Sequence, residues 1–218
     1  MPKATFFNLP EDKRRQILDL AIEEFAAHDY KNASISNIVA RAGIAKGSLY
    51  QYFEDKRDLY LYLIQLAGEE KKQFLAQNPP PDPGMNLFDF LRWLMREGAH
   101  FELSNPLLAR VAYRALFSDR PFDDEPFAGL KKLAQNYYAG LIEMGIAQGS
   151  IDPGVDRGLA VFVLSATFSE FGRYLLEREA VDIEKLASGE VNYQTLPVTE
   201  LADQLIDILQ RGLAPRSN

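Results

Sequence analysis

The stretch ASISNIVARAGIAKGSLYQYFEDKRDLY, residues 33 to 60, decides how this chain is read. Ile35, Ile38, Val39 and Ala42 stand at helical offsets of 0, 3, 4 and 7, with Ser34 ahead of them as an N-cap. Gly43 stops that helix, because glycine enters the left-handed conformation that a tight turn after a helix commonly needs. Ile44 then drops toward the small core between two helices, and a short helix over roughly 45–52 follows. That helix carries Lys46, Gly47, Ser48, Tyr50, Gln51 and Tyr52. A core helix would confine its aromatic rings to one stripe, and a solvent helix would carry more charge.

Outward from this stretch the periodicity stays helical, with no alternating strand pattern. Pro10 suits a first helical turn, and Glu11 and Asp12 suit a helix N-terminus electrostatically. Ile17, Ala21 and Phe25 recur every four residues until HDYKN ends that helix. Asp55 caps a further helix that runs to about Gln77, with Leu59, Leu63, Leu66 and Phe74 near one face. The segment NPPPDPG stops it, since proline neither donates nor fits inside a helix. Further helices are expected over 86–103, 106–118, 125–148, 155–177 and 198–212, with a turn of helix in DIEKLA. The helix over 155–177 is apolar nearly all round, which predicts burial on several sides. The expected fold is all-α: a three-helix, helix-turn-helix domain over residues 1–57, then a helical bundle over 58–218.

Composition narrows the chemistry. The chain of 218 residues holds no cysteine and two histidines, so disulfides, thiolate metal sites and cysteine nucleophiles are excluded. No paired Glu-x-x-His motif, nucleophile–base set or glycine-rich phosphate loop is present, so neither an enzyme nor a cofactor site is expected. MPKATFF lacks a secretory pattern, and LAVFVLSATF is too short to span a bilayer; a cytoplasmic protein that avoids membranes is the expectation. The net charge is −7. All of it lies in residues 59–218, whereas residues 1–58 balance nine basic against nine acidic side chains. A nucleic acid responds to local potential rather than to the whole-chain sum, so a polyanionic partner is permitted.

Two short helices joined by AGIA have the spacing of a helix-turn-helix. The major groove of duplex DNA accepts one helix, whose N-terminal turn makes most base-edge contacts. Lys46 offers a cationic donor, Gly47 permits close approach, and Tyr50, Gln51 and Tyr52 supply hydroxyl and amide groups. The same residues also suit a solvated helix on which Tyr50 and Phe53 only pack. Leu49 and Phe53 read as core.

The stretch over 33–60, with RRQILDLAIEEFAAHDY before it, resembles the DNA-binding signature of the tetracycline-repressor (TetR/AcrR) family. The resemblance lies in the small-Gly-aliphatic turn at Ala42–Ile44, the Lys-Gly-Ser-Leu-Tyr run, and the spacing of Tyr50, Phe53 and Lys56. It implies that Ser34 and Ser36 contact phosphates or bases and that Lys46, Gly47, Ser48, Tyr50, Gln51 and Tyr52 form the reading helix. It implies further that Lys56 contacts a phosphate. Ala45 departs from the hydroxyl residue that many members carry as cap. The implied function is a ligand-responsive transcriptional regulator, most often a repressor, bound as a homodimer to a pseudo-palindromic operator. A helical ligand-binding or adaptor protein with a purely structural helix-turn-helix is the competing reading.

The family layout also implies a dimer face on the last two long helices. Phe162, Ala166, Leu201, Leu205 and Ile208 are the candidates, and each could equally face its own core. The helices over 86–150 are rich in aromatic residues, and Phe90, Trp93, Phe101, Tyr113, Phe117 and Tyr137 are candidates to line an effector pocket. An apolar cavity with a few polar tips is what a sensor of small molecules needs. Arg92, Arg96 and His100 share one helical face, which suggests a solvated stripe with one member available to an anionic ligand.

Overall fold

The computed structural model describes residues 1–82, 84–118 and 125–213. In chain order the α-helices are α1 (Ala4–Phe7), α2 (Glu11–Ala27), α3 (Ile35–Arg41), α4 (Lys46–Tyr52), α5 (Lys56–Gln77), α6 (Leu87–Ser104), α7 (Pro106–Tyr113), α8 (Glu125–Ala147), α9 (Arg157–Arg178), α10 (Ile183–Ala187) and α11 (Val198–Leu213). A π-helical turn, Arg114–Ser118, prolongs α7, and a 3-10 turn covers Tyr193–Thr195. No strand occurs among the described residues. The all-α expectation holds.

Two compact units result. The first comprises residues 1–73 and 105–122, the second 74–104 and 123–218. In the first unit, Ile17, Ala21 and Phe25 of α2 are buried with Ile38 and Val39 of α3 and with Leu59 and Leu63 of α5. Burying each of these side chains other than Ala21 stabilises the fold by about 1.5–3 kcal/mol. Leu108, Val111 and Ala115 join this interior, and the Arg114 guanidinium donates to the Ala26 carbonyl at the end of α2 (3.1 Å).

Helix α1 has no counterpart in the sequence reading. Four residues cannot sustain a helix by themselves; α1 exists because Phe6 is buried, at 1% exposure. Pro10 lies one position earlier than expected. It is the N-cap of α2, with φ −51° and ψ 142°, not a helical residue.

The second unit packs α6, α8, α9 and α11 around Leu87, Leu91, Ile142, Leu164, Leu175, Ala202 and Ile206. Gly145 of α8 allows a close approach, since a Cβ there would strike the side chains of Leu87 and Ile151. The expectation of α9 buried on several sides is corrected. Ala160, Leu164, Phe171 and Leu175 are buried, while Leu159 and Phe162 are 60% and 66% exposed. By length and composition alone α9 could cross a bilayer. Its buried side instead belongs to the unit's core.

The row of Arg92, Arg96 and His100 is also corrected. Arg92 pairs with Asp207 (2.5 Å) and Asp89 (2.9 Å), and Arg96 pairs with Asp203. Steps of four on both α6 and α11 bring the charges into register, so the stripe is a ladder between two helices. The His100 ring lies 6.2 Å from that of Tyr193.

Candidate nucleic-acid interface

The turn between α3 and α4 follows from its sequence. Gly43 has φ +64°, as expected of a left-handed helix terminator. Its N–H donates to the Ala40 carbonyl (3.2 Å), and the Ile44 N–H donates to the Val39 carbonyl (3.1 Å). These two bonds form a Schellman motif, which places Ile44 against Val39 and turns the chain sharply. The Lys13 ammonium adds a bond to the Ala42 carbonyl (2.6 Å), satisfying the end of α3 from α2.

At the start of α3 the Ser34 hydroxyl accepts the Asn37 N–H (3.2 Å), as expected of an N-cap. Glu24 stands behind it, and sequence reasoning missed it. This carboxylate is only 4% exposed; it accepts the Ser34 N–H (2.7 Å) and the side-chain amide of Asn37. The signal was present, since Glu24 falls seven residues after Ile17 and three after Ala21, on the apolar stripe. A carboxylate at a core position signals backbone donors that it satisfies.

Two residues anchor α4: Leu49 and Phe53 are each 1% exposed. Lys46, Gly47 and Gln51 are exposed, Tyr50 is 40% exposed, and Ser48 and Tyr52 are half-buried. Lys46, Tyr50 and Gln51 therefore share an outward face. The Tyr52 ring packs 6.0 Å from that of Phe6, so only part of it is available outside. Ala45, at the N-cap, provides no side-chain bond.

The two serines of α3 differ. Ser36 is exposed, while Ser34 is half-buried and its hydroxyl is engaged as the cap. Lys56 is half-buried at the front of α5. Its ammonium donates to the Lys31 carbonyl (3.1 Å) and lies 4.8 Å from the centre of the Tyr30 ring. Burial lowers its pKa, although Asp29 and Glu24 favour the charged form. Asp55 caps α5 by accepting the Asp58 N–H (2.8 Å).

The aromatic candidates for an effector pocket divide between the units. Tyr113 and Phe117 belong to the first, with ring centres 5.5 Å apart. Phe90, Trp93, Phe101 and Tyr137 belong to the second. Phe101 is buried beside Phe74 (5.8 Å), while Tyr137 is 48% exposed. An open cavity of about 500 Å³ in the second unit is lined by Trp93, Asn78, Pro79, Pro81, Met85, Asp89, Arg92, Arg96 and Glu97. Trp93 is the one candidate that lines it, and its indole donates to the Asn78 carbonyl (3.1 Å).

The dimer candidates divide as well. Phe162 and Ile208 are 66% and 65% exposed, Ala166 and Leu205 are half-buried, and Leu201 lies in the unit's own core at 5%. Leu159 and Tyr174 add exposed apolar surface on α9.

An outward polar helix locked behind a Schellman turn is the geometry of a DNA-reading helix-turn-helix. Residues 17–63 match the family model described as bacterial regulatory proteins, tetR family, and residues 85–214 match the tetracyclin repressor-like C-terminal domain. The chain belongs to the TetR family of transcriptional regulators. It is 46% identical to a TetR family transcriptional regulator from Chloroflexus aurantiacus J-10-FL; the match has a TM-score of 0.86 and covers 99% of this chain and all of that one. It is 29% identical over 203 residues, 92% of this chain and 95% of the relative, to a fatty acid metabolism regulator protein of Bacillus subtilis. The fold is shared with the regulator FadR of that organism, solved in complex with stearoyl-CoA, at 20% identity and a TM-score of 0.64 over 91% of this chain and 98% of that one.

Proposed function

We propose that this regulator is a ligand-responsive repressor that binds a pseudo-palindromic operator as a homodimer and leaves it when a small apolar effector binds. The observation that carries the reading is α4, with Lys46, Tyr50 and Gln51 outward over a buried Leu49 and Phe53. Ser34, Ser36 and Lys56 act beside it at the phosphates. The two copies of α4 in the dimer sit one helical turn of DNA apart, about 34–36 Å.

The exposed Leu159, Phe162 and Tyr174 of α9 and Ile208 of α11 support pairing through these helices, since a partner covering them would remove apolar surface from water. The names of the fatty acid regulator and of the acyl-CoA complex support an acyl chain or acyl-CoA as the effector class. Effector binding acts through α5, a continuous helix of 22 residues whose front end carries Lys56 and whose last residues belong to the second unit. Such coupling amounts to about 1–3 kcal/mol between effector and operator sites. The protein acts by binding, without a chemical step, in the cytoplasm.

The test is selection of a duplex from a random pool, followed by binding at several salt concentrations. A palindromic consensus is expected, with affinity falling steeply as salt rises. Lys46→Ala with Tyr50→Ala is expected to weaken that binding by about 2 kcal/mol or more, and stearoyl-CoA to release the duplex. Unchanged affinity in the double variant would refute the reading helix, and a chain that selects no sequence would favour an adaptor. Tight stearoyl-CoA binding that leaves operator affinity unaltered would refute the coupling.

A further inference from the structure

The reading helix α4 has seven residues, well short of the length at which a helix holds together in water. An α-helix leaves its last four carbonyls without intrahelical partners. In α4 these belong to Leu49, Tyr50, Gln51 and Tyr52, and every one is occupied. The Phe53 N–H, just past the helix, donates to the Leu49 carbonyl (2.8 Å). The other three are taken by a segment that precedes α2. The Lys3 N–H donates to the Tyr52 carbonyl (2.7 Å), the Lys3 ammonium to the Tyr50 carbonyl (3.0 Å), and the Thr5 hydroxyl to the Gln51 carbonyl.

Side chains reinforce the contact. The Phe6 ring centre lies 5.0 Å from that of Phe53, 6.0 Å from Tyr52 and 6.1 Å from Tyr62. The Arg14 guanidinium of α2 donates to the carbonyls of Phe7 (2.7 Å) and Leu9 (2.8 Å), which fastens the far end of the segment. The Lys3 ammonium stands at the negative end of the α4 dipole, where a cation is favoured. It also pairs with Glu54 (2.9 Å), which gives the cation a carboxylate partner within the protein. The opposite end of α4 has no side-chain cap.

We propose that residues 3–7 are a clamp on the C-terminal turn of the reading helix, and that Lys3, Thr5 and Phe6 are positioning residues for DNA recognition. The clamped carbonyls belong to Tyr50 and Gln51, whose side chains face outward, and to Tyr52, whose half-buried ring packs on Phe6. Holding that turn helical fixes where those side chains point before DNA arrives. The clamp touches neither base nor phosphate. The proposal rests on α4 being the reading helix, and its test separates the two.

The variants are Thr5→Val and Lys3→Ala, with Thr5→Ser and Lys3→Arg as conservative rescues. Thr5 and Lys3 are exposed, so these changes spare the core that Phe6→Ala would open. Amide hydrogen exchange is measured in the full chain without DNA, and binding to the selected duplex and to a random duplex is measured across salt concentrations. Each loss variant is expected to speed exchange in α4 while α2 and α5 keep their protection. Specific binding should weaken about three- to tenfold, as expected for one lost hydrogen bond, with less effect on random duplex and an unchanged salt slope. Thr5→Ser should restore both readings. Unchanged α4 exchange in both loss variants would overturn the clamp. A salt slope flattened by about one phosphate contact in Lys3→Ala would overturn it too, making Lys3 a DNA contact. If the unaltered chain selects no sequence, the reading helix falls, while exchange in α4 still decides the clamp.

Discussion

Replacing Glu24 tests most directly how the helix-turn-helix is held. This carboxylate is 4% exposed, and its two partners are neutral donors, the Ser34 N–H at 2.7 Å and the side-chain amide of Asn37. Hydrogen bonds to a charged group contribute about 1.5–3 kcal/mol each. Against them stands the cost of keeping an ion out of water, several kcal/mol. Glu24→Ala recovers that cost but strands the half-buried Ser34 N–H, whereas the exposed Asn37 amide turns to water. The balance is a loss of about 2–3 kcal/mol. In Glu24→Gln the carbonyl oxygen still accepts from Ser34 and the exposed Asn37 amide turns its oxygen to the new amide group, so charged bonds become neutral ones and the loss is about 1 kcal/mol or less. Urea unfolding of both variants, with Asn37→Ala and the double variant, completes a cycle; the coupling between Glu24 and Asn37 should be about 1 kcal/mol. Exchange in the first turn of α3 should accelerate in Glu24→Ala. A loss below about 0.5 kcal/mol for Glu24→Ala would match an ordinary surface change and refute the reasoning.

Two further outcomes are expected. Burial holds the Glu70 carboxyl above its ordinary pKa and Asp19 adds repulsion; burial raises Asp19 as well. An acid with a raised folded-state pKa binds its proton more tightly when folded, so stability falls as pH rises from the ordinary carboxyl value through the raised one. Glu70→Gln should therefore raise the melting temperature at pH 7, with a gain that vanishes below the ordinary carboxyl value; a gain independent of pH would contradict this. Phe162 and Ile208 are about two-thirds exposed, so Phe162→Glu with Ile208→Glu should convert a dimer to a folded monomer by light scattering. A dimeric mass with both glutamates in place would show that pairing uses another surface.

The sequence of residues 33–60 contained its own local structure. The Ser34 cap, the Gly43 terminator, the aliphatic Ile44 after it and the paired anchors Leu49 and Phe53 are near neighbours along the chain, so spacing alone reveals them. The same holds for the Asp55 cap of α5 and for the proline stop after α5. Helix α1 was illegible, because four residues carry no period and Phe6 finds its aromatic partners some fifty positions away. The ladder of Arg92 and Arg96 with Asp207 and Asp203 looked like a solvated stripe, since each half read singly is a polar helix face.

From the sequence alone come the all-α class, the helix-turn-helix and the outward polar face of α4. Each depends on periods of three to four residues and on backbone preferences of single residues, which act within one or two turns. Tertiary structure alone decided which groups finish those short helices. Lys3 and Thr5 complete α4, Lys13 completes α3, and Glu24 fixes the entrance of α3. A helix end leaves donors and acceptors that its own residues cannot satisfy, and the partner can come from any part of the chain that folding brings within about 3 Å.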